Sequence, residues 1–399
     1  MFLKKILSLI GPAFITAAVV LGPGSITTST KAGSLLGYSI LWAVLLASVM
    51  MVFYTRMGAA IGVATGQSSL MQIVTQKYGR WLAVLLGLSG FLICAGFQTG
   101  NNLGVGLAMS SMFGGTVALW AVIFTIVALA LMWSSSSIYQ VLEKLMMALV
   151  AVMIISFVGN LLMIRPDSAG IIKGFIPGKP GNFGLVVAIS ATTFSVAAAA
   201  FQAYLVKGKG WGKDDYRKAM QDATAGIIVL GAITMVIMIT SAAVLLPKGI
   251  KVNTAVEMAL QLEPLLGPLA KWLFLIGLWA AAFSSFIVNA MIGGTMLADG
   301  LGIGSTMDGK WPKLLASLVM ILGTAVASIY KTNPIQLLIM AQATTILGVP
   351  LLAGVMILLA NDKQLMGELR NNLVSNIIAV VAFLWLVYLS IRQLLTFLG

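Results

Sequence analysis

Apolar residues run along this chain in long stretches, and polar residues are gathered into the short gaps between them. An α-helix rises about 1.5 Å per residue, so roughly 20 apolar residues cross the ~30 Å hydrocarbon core of a bilayer. The pattern predicts eleven such helices, at about residues 8–36, 38–64, 82–113, 117–133, 138–164, 183–206, 219–246, 268–297, 313–329, 335–359 and 373–397. The expected fold class is all-α, a polytopic membrane protein with one transmembrane domain over residues 1–399. Arg165 to Asn182, with Pro166, Pro177 and Pro180, is the first substantial loop and separates two halves of five spans.

The first span carries Leu21-Gly22-Pro23-Gly24-Ser25 in its interior. Proline lacks the N–H and clashes with the preceding turn, and glycine adds backbone freedom, so the helix is expected to break here. Freed backbone groups at bilayer depth are tolerated only where protein buries them or where they line a cavity. The break therefore predicts a binding site near the midplane. Taken alone, the motif fits a packing kink without a ligand equally well.

Composition agrees with the membrane reading: 60% of residues are hydrophobic and 9% charged, whereas soluble domains are about half apolar and a quarter charged. The net charge of +13 does not point to nucleic acid, because the basic residues sit mostly in short loops. Counted by side, Lys and Arg number fourteen on the amino-terminal side and six on the other, which places the amino terminus in the cytoplasm of an inner (plasma) membrane. The first apolar run leads straight into the span pattern, so no cleaved signal is expected.

Chemistry is sparse. Cys94 is the only cysteine and there is no histidine, which removes a disulfide framework, a cysteine cluster and the usual proton switch. The 23 methionines are scattered rather than arranged as a soft-metal conduit. No phosphate-binding glycine loop, carboxylate pair or base-activated nucleophile is present, so neither an enzyme nor a cofactor is expected. The expected partners are a small ion or solute and the lipid bilayer.

Gly11-Pro12-Ala13-Phe14, the Pro-Gly break and Gly37-Tyr38-Ser39-Ile40-Leu41-Trp42 resemble the start of the NRAMP family of divalent-metal transporters. Leu142-Glu143, Asp222, Ala281 to Ser285, Gln342 to Pro350 and Asn361 to Glu368 look like further landmarks of that family, in order. The resemblance implies a LeuT-like 5+5 inverted repeat with discontinuous helices 1 and 6. Repeat one would cover about 8–164, repeat two about 183–359, and an extra helix 373–397.

The residues that the family uses for chemistry are exchanged. Where NRAMP transporters carry Asp-Pro-Gly-Asn, this chain has Gly22 and Ser25 in place of the aspartate and asparagine. The family's Met-Pro-His falls on Ser195, Val196 and Ala197, its second histidine on Gln202, and the acids of its proton route on Gln98 and Asn101. Gln342 is retained. By this mapping Gly22, Ser25, Thr193, Ser195 and Gln342 would bind substrate, with Gly22, Ser25 and Gln342 the candidate metal contacts. Lys31, Gln98, Asn101 and Gln202 would lie along the pathway. Gln342 also reads as an interhelical hydrogen-bond partner, and Ser284, Ser285 and Asn289 read more readily as packing. Gly100, Gly104 and Ala108 form a small-residue stripe of the kind that packs helices.

A dehydrated transition metal would bind poorly to neutral oxygens, so a carried cation should be hard and hydrated, magnesium-like, without proton coupling. Lys31 either places positive charge toward an outer vestibule, which would favour a neutral or anionic solute, or snorkels to the interface. A transport-inactive receptor is the third reading. Ala197 to Ala200 is a strong helix former, so the sixth-span break either moves to Thr192–Ser195 or is less open than in the family.

Overall fold

The computed structural model describes residues 21–66, 68–134, 136–329 and 333–398. Outside them lie Lys4, Lys5, Gly11 to Phe14 and the rest of the first span before Leu21, and also Lys331. All regular structure among the described residues is helical. The main helices are α1 (Pro23–Leu36), α2 (Leu41–Thr65), α3 (Leu70–Tyr78), α4 (Arg80–Phe113), α5 (Val117–Trp133), α6 (Ser136–Ile164) and α7 (Phe183–Thr193). They continue with α8 (Val196–Gly208), α9 (Tyr216–Val244), α10 (Leu269–Leu301), α11 (Lys310–Ile329), α12 (Pro334–Thr344), α13 (Val349–Asn361) and α14 (Leu373–Leu398). With α7–α8 and α12–α13 each taken as one crossing, nine spans among the described residues are long and apolar enough for a membrane. The shorter apolar α5 and the half-span α1 complete the expected set of eleven.

Local chemistry sets the ends. Thr116 and Asn182 accept from the Leu119 and Leu185 N–H groups and start α5 and α7. Asn333 caps α12, whose first residue is Pro334, a position where the missing N–H is harmless. Ser69 and Gln72 form a reciprocal capping box on α3. At the other end of α3, Lys77 donates to Asp362, which caps the turn before α14 through the Leu365 N–H. The Lys77 ammonium, with that N–H, holds the Asp362 carboxyl below the usual carboxylate range.

Packing rests on small residues. No hydrophobic drive separates helix from lipid inside a bilayer, so close backbone approach carries the association. α10 lies along α4, where a Cβ on Gly87 would stand 2.7 Å from the Met296 carbonyl oxygen and one on Gly300 would stand 2.5 Å from that of Ala83. Likewise Gly58 and Gly62 of α2 face Ala199 and Ala203 of α8, so the alanine run supplies a flat face for α2 as well as helix propensity. Large apolar side chains point outward instead, Ile126, Ile155 and Val381 among them, as a lipid-facing surface requires.

Candidate functional site

Gly22 is extended (φ −82, ψ 169), and α1 starts at the next residue, Pro23. The second break falls at Phe194–Ser195, between α7 and α8, so of the two alternatives left by the alanine run the break moves rather than closes. No proline or glycine is needed there. Ser195 leaves the helix in an extended conformation, and its Oγ accepts from the Ala198 N–H at 3.5 Å, capping α8. Phe194 turns into the core, fully buried edge-on against Tyr54 at 5.0 Å between ring centroids, and this packing holds the break open.

Between the two breaks lies a cavity of about 140 Å³. Ser25 of α1, Asn101 of α4, Thr192 and Ser195 of the second break, Asn289 of α10 and Gln342 of α12 reach it, together with Gly22 and Ser285. Cys94, Phe97, Val288 and Ile292 form its apolar side. Ser25 Oγ donates to the Thr192 carbonyl at 3.5 Å, and Asn101 Nδ2 to the Ser285 carbonyl at 3.3 Å. Gln342 is 2% exposed, and its Oε1 has no hydrogen-bond partner. Its amide is clamped: a Cβ on Gly24 would stand 2.7 Å from Cδ, and one on Gly100 would collide with Nε2. A buried amide oxygen held this firmly without a donor is an acceptor poised for a ligand.

The structure thus gathers Gly22, Ser25, Asn101, Ser195 and Gln342 around one space. Thr193 is buried but does not line it; its neighbour Thr192 does. Gln98 stands one layer behind, accepting from Asn289 Nδ2 at 3.0 Å and donating to Asn102 Oδ1 at 3.3 Å. Asn102 in turn donates to Thr125 at 3.0 Å and Thr324 at 2.7 Å, so a chain of neutral groups runs from the cavity into α5 and α11. Gln202 is buried on α8 beside Gly58, away from the cavity. Lys31 does not reach the cavity either: it donates to the Val252 carbonyl and, at 3.2 Å, to Asn253 Oδ1, and borders a separate crevice of about 470 Å³.

Sequence reasoning set aside Ser285 and Asn289 as packing residues, yet both line the cavity. It passed over Asp299 entirely. This carboxylate, 4% exposed in the last turn of α10, accepts from Ser69 Oγ at 2.8 Å, Tyr204 OH at 2.6 Å and the Met71 N–H at 3.2 Å. No carboxylate lines the cavity, and among the described residues no group of three or more His, Cys, Asp or Glu is placed to hold a metal ion.

A helix that starts at the extended Gly22 and a helix interrupted at Phe194–Ser195 meet at a cavity inside a bundle of long apolar helices, the arrangement of transporters of the discontinuous-helix class. The family model described as "Natural resistance-associated macrophage protein-like", Nramp, matches residues 13–396, and the chain belongs to that family. It is 25% identical over 404 residues to the "Divalent metal cation transporter MntH" of Bacillus subtilis (strain 168), covering 99% of this chain and 92% of the relative. To the protein of the same name from Yersinia pestis (strain Pestoides F) it is 26% identical over 403 residues, covering 99% and 97%. Among solved structures, the Eremococcus coleocola manganese transporter in complex with an aromatic bis-isothiourea substituted compound superposes with a TM-score of 0.74 at 17% identity, over 100% of this chain and 89% of that one. MhsT in complex with L-phenylalanine gives 0.61 at 17% identity, over 95% and 98%. The fold is the LeuT-like one, and the protein is a membrane transporter of the Nramp family rather than an enzyme.

Proposed function

We propose that this protein carries a hard divalent cation, magnesium-like and still largely hydrated, by alternating access across a plasma membrane. The observation that carries the reading is the polar ligand set: neutral hydroxyl, amide and carbonyl groups, with Gln342 Oε1 buried and unpartnered among them and the Cys94 thiol on the apolar side. A hydrated cation presents water hydrogens outward and so needs acceptors, which the Gln342 amide, the serine hydroxyls and the carbonyls freed at the breaks supply. Magnesium gives up its waters reluctantly and usually keeps several. The cavity, about 140 Å³ against the ~10–15 Å³ that one water requires, has room for an ion with much of its shell. The relatives named as divalent metal cation transporters support metal as the cargo class, and a lining without thioether or imidazole, whose one sulfur is the Cys94 thiol on the apolar side, favours a hard ion.

The finer features follow from the same residues. Gln98, Asn102, Thr125 and Thr324 form a hydrogen-bonded chain without a titratable group, which supports transport without proton coupling. The excess of basic loops on one side supports a cytoplasmic amino terminus. The loop Arg165 to Asn182 is the proposed boundary between repeats at about 8–164 and 183–359, with 373–397 outside both.

A neutral solute with an apolar portion is the second reading, favoured by the Phe97, Val288 and Ile292 side of the cavity. An anionic cargo loses its motive, since Lys31 is engaged elsewhere. The test is uptake into liposomes containing the full chain. Saturable magnesium entry is expected, reduced at least roughly tenfold by Gln342→Ala, with manganese carried more weakly. Preference for manganese overturns the hard-cation reading, and thermal stabilisation by neutral solutes but by no cation selects the second.

A further inference from the structure

A second polar pocket, sharing no lining residue with the central cavity, is formed by the later half of α2, the start of α9, and the start of α14 with the residues just before it. It measures about 90 Å³, several times the ~10–15 Å³ that one water needs. Arg56, Arg370, Tyr216, Asn371, Asn372 and Ser375 supply its polar wall, and Met57 and Met220 lie among its apolar lining. No carboxylate lines it.

The state of the two arginines is the informative feature. Every ion pair among the described residues uses a lysine: Lys77–Asp362, Lys209–Asp222, Lys218–Asp215 and Lys248–Glu263. Of the acids close to the pocket in sequence, Asp215 and Asp362 are engaged by lysines and Glu368, two residues before Arg370, does not line it; neither Arg56 nor Arg370 has an ion-pair partner among the described residues. Arg56 sits nine residues before the end of α2 with its side chain exposed at this pocket, and Arg370 is exposed there too, so both guanidiniums are accessible to an anion. The neighbouring Asn371 Nδ2 spends one donor on the Met57 thioether at 3.4 Å, a weak acceptor, and the other on Asn376 Oδ1 at 3.2 Å.

We infer that this pocket binds a phosphate-type oxyanion, either the headgroup phosphate of an anionic lipid or a free phosphate, held between the Arg56 and Arg370 guanidiniums. Guanidinium matches tetrahedral oxyanions with two parallel N–H donors, which lysine does not, and this accounts for arginine at these two positions. Tyr216 and Ser375 hydroxyls and the Asn372 amide add neutral donors.

The test uses the full chain purified in a neutral detergent, titrated with short-chain phosphatidic acid, short-chain phosphatidylcholine or inorganic phosphate, with binding followed by thermophoresis. Saturable binding of phosphatidic acid is expected, and Arg56→Gln and Arg370→Gln should each raise its dissociation constant at least roughly tenfold. Arg56→Lys and Arg370→Lys keep the charge and guard against variants that fail to fold; they should weaken binding less than glutamine but measurably. Binding of phosphatidic acid without inorganic phosphate assigns the site to a lipid headgroup, and binding of both assigns it to the free anion as well. Absence of saturable binding by either anion, equal binding of phosphatidylcholine, or unchanged affinity in the folded arginine variants overturns the inference.

Discussion

Three glycines around the cavity play different parts. Gly24 and Gly100 leave no room for a Cβ because the Gln342 amide fills that space. Gly22 is different: its backbone suits any residue, and a Cβ there would meet Ser285 Oγ at 3.7 Å and Asn101 Oδ1 at 4.0 Å, ordinary contacts. The position where the family resemblance places an aspartate is thus sterically open to one, and its neutrality is a matter of chemistry rather than of fit. The triple change Gly22→Asp, Ser25→Asn and Ser195→Met adds one charge and one soft ligand at the two breaks. By calorimetry, manganese binding should be weak or undetectable in the native protein and measurable in the variant. Loss of the Ser195 cap should lower stability by about 1 kcal/mol. Tight manganese binding by the native protein, abolished by Gln342→Ala, contradicts the case for a hydrated hard ion.

Among the elements, α1 is tied to its neighbours at Thr30 and Lys31. Ser241 Oγ donates to the Thr30 carbonyl at 2.6 Å, Gln261 Nε2 to Thr30 Oγ1 at 3.0 Å, and Lys31 to Val252 and Asn253 in the loop before α10. Asn333 at the start of α12 donates to the Asn253 carbonyl at 3.2 Å, joining a third element to the same loop. In the alternating-access cycle and orientation proposed above, this latch opens when the cavity faces outward. A hydrogen bond from a charged donor is worth about 1.5–3 kcal/mol, so Lys31→Met should raise the outward-open population by roughly tenfold or more. Cys94, the sole cysteine, lines the cavity and reports the opening. Its modification by a membrane-impermeant maleimide added outside sealed vesicles should rise by a similar factor. Unchanged modification means that the latch lies off the pathway.

For the whole molecule, pH is the broadest test. The chain has no histidine, the one side chain that ordinarily titrates between pH 5 and 8. The depressed Asp362 carboxyl stabilises the fold above the unfolded carboxylate pKa of about 3.9, and that contribution is lost only as pH falls through its still lower folded value. Melting temperature and uptake rate should therefore both be flat from about pH 5.5 to 8, and uptake should carry no proton current. A slope in that window, or a substrate-dependent proton current, shows that a membrane-embedded acid titrates. Asp299, Glu143 and Asp222 are then the groups to replace.

The sequence by itself determined whatever depends on neighbours along the chain. Apolar run length sets the spans, and Gly22-Pro23 starts a helix within an apolar run because its missing donor and backbone freedom are local properties. That Gly22, Gln98 and Asn101 carry no charge was legible for the same reason. The tertiary structure decided whatever depends on partners distant in sequence. The second break is fixed by Phe194 lodging against Tyr54 of another helix, Asp299 is satisfied by Ser69 and Tyr204 from two other elements, and Lys31 is spent on a loop more than two hundred residues away. Thr192 rather than Thr193 faces the cavity because one step along a helix rotates a side chain by about 100°. Which of two adjacent threonines meets the substrate depends on how the helix is set against its neighbours, and only the packed bundle fixes that orientation.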